Sequence, residues 1–257
     1  MFEAFLWLQQ ATGDFHSDVR HTCLWHVPDS VSLESREYEI LPHFCFPDFK
    51  LQILHRPVLL QKDLYVFILT KPGGERRYGI CLRSFCSGEG NRYDVKRRRL
   101  CCLCIVTEYP SFTFFYNLLL QVHSMCLRDH DTISSRDLLQ LLYTKNLAHN
   151  SISFANQFSL SRRTNNMGYV PFGSGKNWCS NVPILPLLES LGAQRFLFLL
   201  TSIMCEKRIL FVAENVTMLS ARVFSALSML YPFQWQVVSL LINSLIEITI
   251  IYILFSV

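Results

Sequence analysis

"LLTSIMCEKRILFVAENVTMLSARVFSALSMLYPFQWQ", residues 199–236, carries two apolar stretches separated by Glu206, Lys207 and Arg208. The first stretch keeps apolar side chains at helical spacing up to Cys205. Arg208–Ala213, "RILFVA", is a short continuous apolar run and reads as a buried strand. Asn215 then stands as an N-cap before "VTMLSARVFSALSMLY", a second helical pattern, and Pro232 lies just beyond its end. Helix, strand and helix in such quick succession predict an α/β layer built on a largely parallel sheet. The three charged residues fall where a helix must give way to a strand, and Lys207 and Arg208 suit the negative end of a helix dipole. A solvated turn is their plain reading.

Working upstream, "PILPLLESLGAQRFLFLLTSIMC" predicts a helical stretch broken at Gly192. Residues 151–183 are rich in Asn, Ser, Gly and Arg and predict an irregular connection. Leu100–Thr107 is a strand pattern for a segment covered on both faces, followed by a turn at Tyr109-Pro110 and a helix over Phe114–Leu127. In "LYVFILTKPGGERRYGICLR", residues 64–83, two β-rich runs flank Pro72-Gly73-Gly74 and predict a β-hairpin. "FEAFLWL" near the start is a further candidate strand, and "LPHFCFPD", with Pro42 and Pro47, predicts an edge or a loop. The polar, Gly-containing segment 84–99 reads as a linker between two units, 1–83 and 100–236.

The 257 residues allow one large or two modest domains, and at 50% hydrophobic and 17% charged they can bury a large core. A net charge of +4 provides no broad basic field, which argues against a nucleic-acid partner. Glu3 stands where a secretory leader needs positive charge and the first apolar run stops at Leu8, so no signal peptide is read. The ten cysteines are irregularly placed in apolar runs, which predicts buried free thiols and a cytosolic setting.

Motifs that would carry chemistry are weak. "GSGKN" at 173–177 lacks the first glycine of a phosphate loop, Val170 standing in its place, and has Asn177 where the metal-binding hydroxyl belongs. Cys101, Cys102 and Cys104 contain a CxxC spacing with no second pair of ligands in the sequence pattern, so they read as core thiols and no metal is expected. His16, His21 and His26 follow neither helical nor strand periodicity, and no GxSxG or HExxH pattern occurs. Covalent catalysis is not expected. Lys96, Arg97, Arg98 and Arg99 form the one concentrated positive run, a candidate contact for acidic lipid headgroups or an acidic protein face, with simple solvation as the alternative.

Taken in order, "LYVFILTKPGGERRYGICLR", "CLCIVTEYPSFTFFYNLL" and the block from Val182 to Gln236 resemble the successive signatures of DENN-domain proteins, and "FEAFLWL" and "HFCFPD" resemble that family's N-terminal module. The resemblance implies a small longin-like α+β module with an antiparallel sheet, then a central α/β module. It implies guanine nucleotide exchange on Rab-type small GTPases in vesicle trafficking, with no cofactor of its own. It also implies a cytoplasmic protein with peripheral recruitment to vesicle or endosomal membranes. A non-catalytic scaffold that binds a GTPase without accelerating nucleotide release is the alternative. The family signature at Glu206 and Arg208 makes them candidate partner contacts, with a structural ion pair as the competing role.

After "YPFQWQ" the sequence departs from the family, reading "VVSLLINSLIEITIIYILFSV" over 237–257, so the central module is expected to be incomplete at its C-terminal end. These 21 residues hold no Lys or Arg and one acid, Glu247, and are long enough for a bilayer span. Ser239, Asn243, Ser244, Glu247 and Thr249 lower their hydrophobicity, which favours a segment that partly fills the missing strand's place, or stays exposed and promotes aggregation, over a membrane anchor.

Overall fold

The computed structural model describes residues 2–10, 21–30, 36–47, 62–70, 75–87, 98–109, 111–129, 132–144, 182, 184–213, 215–231, 233, 239–243 and 250–254. Strands β3 (Asp63–Thr70) and β4 (Arg76–Ser87) form the expected hairpin, paired antiparallel from Asp63↔Arg83 to Thr70↔Arg76. With β1 (Ala4–Gln10), β2 (His21–Val27) and β5 (Arg98–Thr107) they build a five-stranded sheet in the order β2-β1-β5-β4-β3, every pair antiparallel. Strand β5 lies at its centre, and Leu100–Thr107 is buried throughout, as expected from its unbroken apolar run. The segment read as a linker, 84–99, therefore joins neighbouring strands of one sheet: its ends, to Ser87 and from Arg98, belong to β4 and β5.

Strand alternation divides the core. On one face, the short helix α2 (Leu41–Cys45; α1 is Arg36–Glu39) covers Tyr65, Phe67, Cys81 and Arg83: Phe44 stacks on Phe67 at 5.0 Å and the Tyr65 hydroxyl donates to the Cys45 carbonyl at 2.5 Å. The expected edge or loop at "LPHFCFPD" is thus a helical turn. Pro42 sits in its first turn, where a missing N–H costs nothing. On the other face, helix α3 (Phe112–Asp129) packs through the Ser84–His123 hydrogen bond, 2.7 Å, and the Tyr78–Phe112 edge contact, and α4 (Thr132–Thr144) follows it.

The second half begins with α5 (Leu185–Met204), interrupted at Gly192, whose φ of 73° and ψ of 161° break the helix as the sequence predicts. Each piece is shorter than the roughly 18–20 residues a bilayer span needs. Strand β6 (Ile209–Ala213) follows, then α6 (Val216–Ser228) with Asn215 as its N-cap, extended at φ −140° and accepting from the Met218 N–H at 2.8 Å.

The largely parallel central sheet is not found. The second sheet is β6-β8-β7, with β7 (Ser239–Asn243) and β8 (Ile250–Leu254), and both of its pairings are antiparallel, so the α/β layering stands while all strand pairing among the described residues is antiparallel. The registers Ile209↔Leu254 and Ser239↔Leu254 explain the discrepancy. Helix α6 does connect two strands of the same direction, β6 and β7, but β8 lies between them and takes the hydrogen bonds of both. The two strands of 237–257 thus extend the sheet from β6, in keeping with the strand-filling reading of that segment.

Helix α6 ties the two halves together at the exposed flank of the first sheet. Strand β3 is an edge, and the buried Ser220 hydroxyl bridges its Val66, accepting from the N–H at 2.8 Å and donating to the carbonyl at 3.2 Å. One side chain so satisfies both edge groups of a buried residue and blocks that point of the edge from pairing with another strand. Ser220→Ala is expected to cost about 1–3 kcal/mol in urea denaturation, because Val66 keeps its burial and loses both bonds. Thr201→Ala, which removes a hydroxyl bonded only within its own exposed helix turn, is expected to stay within about 0.5 kcal/mol.

Candidate functional site

The turn from α5 to β6 closes as a Schellman motif. The Lys207 N–H donates to the Ser202 carbonyl at 3.0 Å and the Glu206 N–H to the Ile203 carbonyl at 2.9 Å, while Glu206 sits at φ 54°. That left-handed position usually takes glycine, and a residue with a Cβ pays about 1–2 kcal/mol to hold it. Glu206, Lys207 and Arg208 are all exposed, and among the described residues neither Glu206 nor Arg208 forms an ion pair. The sequence-predicted pair therefore stands side by side at a strained, solvent-facing corner.

The two elements joined by this corner carry exposed apolar residues that the sequence reading missed. On α5, Leu197 and Met204 are seven residues apart and share a helical stripe, 59% and 63% exposed, with Phe198 beside them at 70%. On β6, Leu210 and Val212 point to one face and are more than half exposed, so the strand is not buried as expected: only Ala213 is fully covered. A continuous apolar run shows that both faces of a strand are apolar; it does not show that both are covered. Of the basic run, Lys96 and Arg97 lie outside the described residues, and Arg98 and Arg99 begin β5, opposite Ser87 and Cys86.

Two polar groupings sit inside the first sheet. Arg83 is buried, with its Nη2 and Nε donating to Asp63 Oδ2 at 2.9 and 3.3 Å and its guanidinium 5.5 Å from the Tyr65 ring centre. On the same face, Cys45 from α2, Cys81 from β4 and Cys102 from β5 bring their sulfurs within 4.8 Å of one another, with Cys104, the cross-strand partner of Cys81, on the same face of β5; all four are fully buried. The Cys45 and Cys81 Sγ atoms are 3.9 Å apart. Hydrogen bonds from Cys45 and Cys81 pull the Cys104 thiol down to about 6, while burial pushes Cys45, Cys81 and Cys102 up. Cys101 points to the opposite face of β5. The cluster is invisible in sequence spacing because its members come from three elements, with Cys45 and Cys81 36 residues apart.

The DENN (AEX-3) domain model matches residues 98–250 and the uDENN domain model residues 22–84. The chain is 25% identical over 211 residues to human DENN domain-containing protein 2A, covering 78% of this chain and 19% of that protein. It is 26% identical over 220 residues to mouse DENN domain-containing protein 1C, covering 79% and 26%, and 26% identical over 215 residues to human DENN domain-containing protein 2D, covering 79% and 41%. The chain thus spans well under half the length of each of these curated relatives. No solved structure matches it. With a sheet whose middle strand joins the two matched regions, and with the DENN model covering more than half of its residues, this chain belongs to the DENN-domain family.

Proposed function

We propose that this chain engages a Rab-type small GTPase through the corner between α5 and β6 and that the engagement promotes guanine nucleotide release. The observation that carries this reading is the exposed apolar surface of Leu197, Phe198, Met204, Leu210 and Val212 beside the charged turn of Glu206, Lys207 and Arg208. Exposed apolar residues beside charged ones are the composition of a protein interface, and their gathering on two successive elements marks a candidate contact site. Exchange needs no reacting side chain. A factor that binds the nucleotide-free conformation of its partner more tightly than the loaded one shifts that equilibrium by its differential affinity alone.

A fluorescent-nucleotide release assay across a panel of Rab GTPases tests the activity. Faster release from at least one of them is expected; binding with an unchanged release rate supports the scaffold reading instead. Arg208→Glu is expected to weaken GTPase binding about tenfold, an effect of roughly 1.4 kcal/mol, while leaving unfolding within about 0.5 kcal/mol of the parent. A large stability loss with binding intact would assign Arg208 a structural role. Recruitment to vesicle membranes belongs to the same reading, with the basic residues Lys96, Arg97, Arg98 and Arg99 as the contact for acidic headgroups.

A further inference from the structure

We propose that Cys45, Cys81, Cys102 and Cys104 form a structural zinc site inside the first sheet. The sequence reading left Cys101, Cys102 and Cys104 as core thiols for want of a second pair of ligands, and the fold brings Cys45 and Cys81 to Cys102 and Cys104. Strand alternation puts Cys102 and Cys104 on one face of β5, the register places Cys81 directly opposite Cys104, and α2 lays Cys45 over them.

Three of the four sulfurs already have the spacing of a thiolate metal site. With Zn–S bonds of about 2.3 Å, two sulfurs on a tetrahedral ion stand about 3.8 Å apart. The Cys45 and Cys81 sulfurs are separated by 3.9 Å, the sulfurs of Cys45, Cys81 and Cys102 all lie within 4.8 Å of one another, and Cys104, fully buried on the same face of β5 and the cross-strand partner of Cys81, stands outside that trio as the fourth donor. Four sulfur donors with no carboxylate or imidazole among them select a thiophilic ion, and complete burial leaves no open position for water or substrate, as in structural rather than catalytic zinc sites. Neighbouring groups support the ligands. The Tyr65 hydroxyl holds the Cys45 carbonyl, and Arg83, the cross-strand partner of Cys102, adds a buried cation beside the negative charge that four thiolates would bring to the ion. Such a site would pin α2, a helix of five residues with no side-chain cap, to the sheet.

The full chain, produced in zinc-supplemented medium and purified under reducing conditions, is expected to hold about one zinc per chain by elemental analysis. Cys45→Ser and Cys102→Ser should reduce this to below about a tenth, while Cys101→Ser, on the other face of β5, should retain it. Cobalt titration of the parent chain gives a readout that does not depend on the variants folding: thiolate-to-cobalt charge-transfer absorption and tetrahedral ligand-field bands are expected. A folded parent chain with less than about a tenth of a zinc and no cobalt spectrum overturns the proposal, as does zinc retained by a Cys45→Ser/Cys102→Ser double variant or stoichiometric copper in place of zinc.

Discussion

Replacing Asp63 by alanine is expected to cost about 3–5 kcal/mol of folding stability, because it leaves a buried guanidinium without its carboxylate. Arg83 is 1% exposed and its Cα pairs directly with Asp63 across β3 and β4. Its Nη2 and Nε donate to one carboxylate oxygen, at 2.9 and 3.3 Å, and the Tyr65 ring beneath it contributes a weaker cation–π attraction. The Asp63 side chain keeps 23% of its surface in water, so solvent entering the vacated space sets the result toward the lower end of that range. Removing both charges differs in kind. Asp63→Leu/Arg83→Met dispenses with the desolvation of both ions and is expected to recover most of the loss. Urea denaturation of the three proteins decides it: an Asp63→Ala variant within about 1 kcal/mol of the parent would show that Arg83 draws its stability from elsewhere.

What was legible in the sequence was local. The hairpin around Pro72-Gly73-Gly74, the break at Gly192 and the cap at Asn215 each depend on a few adjacent residues whose backbone preferences decide the outcome, and each is found. What failed depends on partners distant in the chain. Nothing in "RILFVA" announces that β8, some forty residues on, takes its hydrogen bonds and separates it from the co-directional β7. The same holds for the candidate site. Glu206 and Arg208 were readable as a turn, but the positive φ at Glu206 and the exposed apolar residues on the elements it joins follow from how α5 and β6 each pack against α6, not from their composition. Strand alternation alone puts Cys102 and Cys104 on one face of β5, while the approach of Cys45 and Cys81 required the register of β4 against β5 and the position of α2.

Stability is expected to fall by roughly 3 kcal/mol as pH drops from about 6.5 to about 4, from His123 alone. This histidine bridges α3 to β4: Nε2 meets the Ser84 hydroxyl at 2.7 Å, and Nδ1 is buried without a hydrogen-bond partner among the described residues. Burial, with a smaller contribution from the Lys62 charge, holds its pKa down to about 4, below the ordinary 6.5. Above pH 6.5 the imidazole is neutral in both folded and unfolded chains and contributes no pH dependence. Between 6.5 and 4 the unfolded chain takes up a proton that the folded chain refuses, so unfolding becomes progressively favoured, and below about 4 both are charged and the penalty levels off. Carboxylates titrate near the lower end of this window, so the difference between parent and His123→Gln isolates the effect. The variant is expected to show a flatter profile from pH 6.5 to 4.5, whatever its absolute stability. Parallel profiles for the two proteins would mean that the folded chain accommodates the imidazolium, with Nδ1 finding an acceptor as α3 shifts against the sheet.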